Sequence, residues 1–313
     1  MATIYNVGKK NHAHEKTGAG IAKCARANTG ARLPAHARLM PATNSRRGLL
    51  IVICACLAYL LTVFFCGMFM NPELYAVNYG NKFIAPEWGH PFGTDFMGRD
   101  MFFRCVKGMS NSLAIGLAAA AISSVIGLAL GISSAVIGGK FDKFILWCVD
   151  CCMGLPHLVL LILISFMLGR GEFGVLCGIA LTHWPELTRV VRAEVVQLRT
   201  SQFILASYKM GMSKFQVAKA HVIPHVLPVY FVGLVLLFPH AIMHEAAITF
   251  LGFGLSADMP AIGVILSEAM AHLATGKWWL ALFPGLMLML AVVLFEAIGG
   301  GLNKLLSPAS GHE

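Results

Sequence analysis

The stretch FILASYKMGMSKFQVAKAHVIPHVLP, residues 203 to 228, sets three lysines, a glycine and two prolines between two strongly apolar runs. The apolar spacing of Leu198, Phe203, Ala206 and Met210 predicts a helix that stops at Gly211, a residue suited to the left-handed backbone of a helix end. A second helix is expected to start at once. Ser213 and Gln216 have capping-box spacing, in which hydroxyl and amide satisfy each other's backbone N–H groups. Phe215, Ala218 and Val222 supply its apolar side, and Pro224, lacking an N–H, is expected to end it. Two short helices meeting at a glycine turn make a compact projecting knob. The alternative for such a lysine-bearing segment is an amphipathic helix lying on anionic lipid.

The surroundings place this knob in a bilayer protein. Hydrophobic residues make up 57% of the 313-residue chain and charged residues 12%, and mean hydropathy is +0.72. Those values exclude an ordinary soluble domain. With spans of about 20 residues each, the chain reads as an all-α polytopic membrane protein with about six transmembrane helices. Residues 1–48 form a basic tail with nine Lys or Arg and one acid, Glu15, a composition also shared by organellar transit segments. An uncharged anchor helix at 49–70 is too long for a signal-peptide core. A polar segment, 71–108, follows. The core, 109–302, holds spans near 110–138, 144–168, 174–184, 227–249 and 278–298, a loop over 251–277 and the polar loop 185–226; residues 303–313 close the chain. The span at 174–184 is short and must continue into the polar helix after it. Gly127 and Gly131, four apart, let a neighbouring helix approach closely.

Lysine and arginine set the orientation. The first tail, residues 140–143, the loop 185–226 and the last tail hold eighteen; residues 71–108, Arg170 and Lys277 account for six. Both termini and the knob are therefore expected on the cytoplasmic side.

Chemistry is sparser. The nine cysteines fall mostly in apolar runs and indicate no disulfide framework; Cys151 and Cys152 are adjacent and point to different helix faces. Intramembrane charge usually faces a bundle interior or an aqueous path, which singles out Asp150, Glu245 and Glu296. His240 and His244, four apart, share a helix face beside Glu245. Asp150, His240, His244 and Glu245 are thus candidates for a translocation path suited to a metal ion or its chelate. The competing reading makes Glu245 a structural hydrogen-bonding group and the histidines interfacial. His12 and His14 in the tail form a weak H-x-H pair. A phosphate-binding loop is excluded, because Gly139-Lys140 and Gly276-Lys277 are each followed by an aromatic residue rather than Ser or Thr.

The motifs resemble a family. Gly211, nine residues, then His-Val-Ile-Pro at 221–224 is similar to the cytoplasmic loop signature of permease subunits of binding-protein-dependent ABC importers. HPFGTDFMGRD at 90–100, HEAAITFLGFG at 244–254, WWLALFPG at 278–285 and GGGLNKLLSP at 299–308 resemble the second permease of the dipeptide/oligopeptide/nickel branch. FILAS and THWPELTRVVR, at 182–192, look closer to its nickel permeases. Where the family often has Glu-Ala-Ala, this chain has Leu205, Ala206 and Ser207. The resemblance implies a type I importer permease fold in a bacterial plasma membrane. It also implies a knob seated on an ATPase subunit through Phe203, Ala206, Ser207, Gly211, Ser213, Phe215, His221 and Pro224. The implied partners are a second permease subunit in a heterodimer, two ATP-binding subunits and an extracytoplasmic substrate-binding protein, besides membrane lipids, with no nucleic acid. This chain is expected to bind no cofactor and to be no enzyme; ATP and Mg belong to the partner subunits. The expected cargo is a nickel- or cobalt-type metal or its chelate, with di- or oligopeptides as the alternative.

Two other classes make different demands. A secondary transporter would use Asp150 and Glu245 as a proton relay and run without an ATPase. An intramembrane hydrolase would need a G-x-S-x-G or H-E-x-x-H motif, and HEAAI at 244–248 lacks the second histidine.

Overall fold

The structure, a computed structural model, describes residues 46–306. Most of the first tail, with His12 and His14, and most of 303–313 lie outside the described residues.

Every regular element among the described residues is helical. Helix α1 spans Arg46–Met68, and two single-turn 3₁₀ segments, Pro72–Tyr75 and Tyr79–Asn81, follow it. Helix α2, Met101–Ile137, begins where the Asp100 carboxylate accepts from the Phe102 N–H at 2.8 Å and ends at Gly138, φ +72°. Then come α3 (Gly139–Gly154), α4 (His157–Met167) and α5 (Glu172–Arg199). The knob is built from α6 (Gln202–Lys209) and α7 (Lys214–Val217). Helices α8 (Ile223–Phe250), α9 (Ile262–Leu273) and α10 (Trp279–Leu306) complete the chain.

Among the described residues four helical segments are long and apolar enough to cross a bilayer: α1, α2, the run Lys214–Phe250 and α10. The pair α3 and α4 makes a fifth if it is one span. Helix α5, at 28 residues, reaches about 42 Å, and it passes from an apolar first half to the polar half anticipated for it. The polytopic all-α architecture is therefore the one expected, with three local corrections. The span at 144–168 is not one helix: α3 and α4 meet at 96°. Leu155 is extended, φ −93° and ψ 145°, as a residue before proline must be, and Pro156 caps α4. Second, Pro224 does not end the knob's second helix. The Ile223 N–H bonds the Ala218 carbonyl in a π-turn over Ala218–Val222, and this wider turn absorbs the donor that proline lacks. Third, the loop at 251–277 contains a helix, α9.

Helix α2 runs through the middle of the bundle and packs on α1, α5 and α8. Its glycines make the approach to α5 possible. A β-carbon at Gly127 would lie 3.1 Å from the Trp184 carbonyl oxygen, and one at Gly131 2.7 Å from Val191 Cγ1 and 3.0 Å from the Thr188 oxygen. Between apolar helices in lipid, such close packing replaces the hydrophobic effect as the associating force. Gly131→Leu is expected to destabilise the fold by about 1–3 kcal/mol, read as a lowered thermal midpoint in lipid nanodiscs. Gly285→Leu, where an added β-carbon meets nothing within 4 Å, should leave the midpoint in place. Equal midpoints for both variants would refute the close-packing argument.

Candidate functional site

At one end of the bundle stands the knob. Helix α6 closes at Gly211, whose φ of +89° allows the Met212 N–H to reach the Ser207 carbonyl at 3.2 Å. Helix α7 then opens with the capping box: the Ser213 N–H donates to Gln216 Oε1 at 2.8 Å, and the Gln216 N–H donates to Ser213 Oγ at 3.3 Å. Its inward face consists of Ile204, Ser207, Val217 and Val222. Ser207 Oγ donates to the Phe203 carbonyl at 2.9 Å and lies 3.3 Å from His221 Nε2, joining α6 to the π-turn. Of the residues expected on the apolar side, Leu198, Ala218 and Val222 are buried, but the large side chains at the tip point out. Phe203 is 50% exposed, Met210 75% and Phe215 77%; Ala206 and Ser213 are exposed as well. Among the described residues these outward side chains form an uncovered apolar crown with Lys209 and Lys214 beside it.

Two arginines of α5 hold the base of this knob. Asp142 receives Arg192 Nε at 2.6 Å and its terminal nitrogen at 2.7 Å, a bidentate clamp, and also accepts from Ser134. Arg199 donates to the Ala135 carbonyl and Lys214 Nζ to that of Ile137 at 3.3 Å. Helices α2, α3, α5 and α7 are thereby joined at one level. Sequence reading passed over Asp142 as part of a short loop, although an acid there against an arginine fifty positions on leaves no local periodic signal. Gly211→Val forces a branched side chain into the left-handed region and is expected to cost about 1–2 kcal/mol. With open space around the added β-carbon, the loss is conformational, so Gly211→Asn should recover most of it. Equal thermal midpoints for Gly211→Val and Gly211→Asn would rule this out.

The four intramembrane candidates do not converge. Asp150 pairs with Arg189 at 2.5 Å on an exposed surface. Glu245 is fully buried, its Oε1 accepting from Thr249 Oγ1 at 3.0 Å, and Thr249 Oγ1 in turn accepts from the Leu255 N–H at 3.2 Å. That chain of bonds ties α8 to the turn after it, which favours the structural reading of Glu245. His240 is exposed and its Nδ1 donates to the Leu236 carbonyl at 2.9 Å. His244 instead meets His157 and His183, with ring centroids 4.5 and 5.2 Å away. Neither His157 nor His183 stood out by spacing, because the three histidines lie on three different helices.

At the opposite end, the segment 90–100 folds around Asp95. Its carboxylate accepts from the N–H groups of Met97 and Arg99 at 2.8 and 2.9 Å, and from the Arg99 and Arg104 side chains at 2.6 and 3.0 Å. Glu268 of α9 closes the network, 2.6 Å from Arg104 and 3.2 Å from Arg99.

This arrangement of knob, spans and charged turn at the other end coincides with a sequence match. Residues 127–309, more than half of the chain, match the binding-protein-dependent transport system inner membrane component family. The chain belongs to that family of ABC transporter permeases. The permease is also 30% identical over 253 residues to the dipeptide transport system permease protein DppC of Bacillus subtilis, covering 80% of this chain and 79% of that protein. It is 31% identical to the oligopeptide transport system permease protein OppC of the same organism, over 83% and 84% of the two chains. A putative peptide transport system permease protein of Brucella suis is 31% identical over 87% and 90%. The matched family region takes in the knob, the histidines and α8 to α10, whereas α1 and the Asp95 turn precede it. Those relatives are named for peptides, so the nickel-permease likeness is not carried by them.

Proposed function

We propose that the permease imports di- or oligopeptides as one of two dissimilar transmembrane subunits, driven by ATP-binding subunits and fed by an extracytoplasmic binding protein. The supporting observation is that relatives matching over four-fifths of the chain are dipeptide and oligopeptide permeases. The knob serves as the seat for an ATP-binding subunit: its apolar crown has no cover among the described residues, and its base is clamped to three helices. The lysine and arginine distribution supports a cytoplasmic position for that end and an external one for the Asp95 turn.

Deleting this subunit from its host is expected to abolish uptake of labelled dipeptides or short oligopeptides and to confer resistance to toxic peptide analogues. Unchanged peptide uptake with lost nickel or cobalt uptake would replace this reading with metal or metal-chelate import, the second reading, which the grouping of three histidines favours. Orientation is tested separately. In a cysteine-free background, single cysteines at Asn81 and Ser256 should react with an impermeant thiol reagent from outside intact cells, and one at Gln216 should not. Reaction at Gln216 would reverse the assignment.

A further inference from the structure

We propose that His157, His183 and His244 form a binding site for a late first-row divalent transition-metal ion within the membrane domain. The inference rests on ligand geometry and holds whichever cargo is carried. Three helices contribute: His157 opens α4 directly after the bend at Pro156, His183 lies on α5 two residues before Pro185, and His244 is on α8. Among the described residues these three are the group whose potential ligand atoms all lie within 4.8 Å of one another.

The tautomer of His183 follows from its hydrogen bond. Nδ1 lies 2.9 Å from the Ile179 carbonyl oxygen, which only accepts, so Nδ1 carries the proton and the lone pair of the neutral ring is on Nε2. That Nε2 is buried without a hydrogen-bond partner, in a residue only 5% exposed. His157 Nε2 is likewise buried and unpartnered. An orphan buried polar atom is costly, and two beside a third imidazole are the arrangement a metal relieves. A metal-bound imidazole ordinarily donates its other N–H to a carbonyl or carboxylate, as His183 does.

The donor set selects the ion. Three imidazoles with no carboxylate among them suit nickel, copper, zinc or cobalt, whereas magnesium and calcium take oxygen ligands. Metal–nitrogen bonds of about 2.0–2.1 Å in a tetrahedral site put ligand atoms about 3.3–3.4 Å apart, so a pair at the present 4.8 Å limit closes by about 1.4 Å, a rotamer-scale adjustment. Three protein ligands leave a position open for water or a passing ligand. An ion held here would join α4, α5 and α8 across the bend.

The test uses the full-length chain in lipid nanodiscs with a tag free of histidine, carrying His12→Ala, His14→Ala, His36→Ala and Cys24→Ser so that the first tail offers no imidazole or thiol. Cobalt(II) and zinc(II) are the probes. One ion per chain is expected, with X-ray absorption of the zinc form showing imidazole scatterers and no sulfur. His183→Phe should weaken binding by about 100-fold or more, since loss of even an outer partner of a metal site costs about 10–100-fold. His240→Leu and His272→Ala should not change it. Absence of stoichiometric binding, sulfur ligation, or undiminished affinity in His183→Phe would each overturn the site. If His183→Phe cannot be recovered folded, the absorption spectrum of the parent chain decides alone.

Discussion

Asp95→Ala is expected to lower the stability of the permease by about 3–5 kcal/mol, the largest effect of any single substitution considered. The side chains of Asp95 and Arg104 are 2% and 3% exposed, so the pair is removed from water. Taken as a pair, buried ions return little net stability. Broken, they leave a buried charge uncompensated, and that asymmetry sets the size of the loss. Alanine also strands the N–H groups of Met97 and Arg99, which both donate to Asp95 Oδ1. Glu268 limits the damage, because it still receives Arg104 at 2.6 Å. Asp95→Asn keeps an oxygen for the Met97 and Arg99 N–H groups but loses both the charge and the oxygen that receives the two arginines, so it should fall between parent and alanine. Thermal unfolding in nanodiscs gives the order: parent, then asparagine, then alanine. A parental midpoint for Asp95→Ala would mean that Glu268 alone neutralises both arginines, and the turn would lose its place as the clamp between residues 90–100 and α9.

How far this architecture was legible varies with the range of the signal. Gly211 and the Ser213–Gln216 box could be read because every partner lies within a few residues. Gly127 and Gly131 could be read because four-residue spacing is itself the mechanism of close approach. Pro224 misled for a physical reason: a missing N–H breaks an i to i−4 ladder, but the chain widened to a π-turn and carried on as α8. Pro156 was visible as a residue and its 96° consequence was not, since the angle depends on what α4 packs against. The charge networks were the least legible. Asp142 finds Arg192, and Arg104 finds Glu268, across separations that no periodicity encodes. The outward turn of Phe203 and Phe215 belongs to the same class. An apolar residue in a short helix need not mark a face buried within its own chain, and among the described residues nothing covers this crown.

The crown supplies the other large prediction. Phe203→Asp combined with Phe215→Asp is expected to reduce ATPase-coupled uptake at least tenfold, while the thermal midpoint of the permease in nanodiscs stays within a few degrees of the parent. Stability should persist because both rings are half or more exposed, at 50% and 77%, and the inward face of Ile204, Ser207 and Val217 is untouched. Docking should not persist. Aromatic anchors at the centre of an interface are each worth about 2–4 kcal/mol when truncated, and every 1.4 kcal/mol is a factor of about ten in affinity. Replacing two rings by carboxylates adds desolvation of charge to that loss. The direct readout is co-purification of the ATP-binding subunits with the double variant, against Gly285→Leu as a control far from the knob. Normal co-purification together with normal peptide uptake would remove the knob as the ATPase seat. The lipid-surface reading makes the opposite forecast: a spin label at Gln216→Cys would report burial at the headgroups in the parent and release in the double variant, with the ATP-binding subunits still attached.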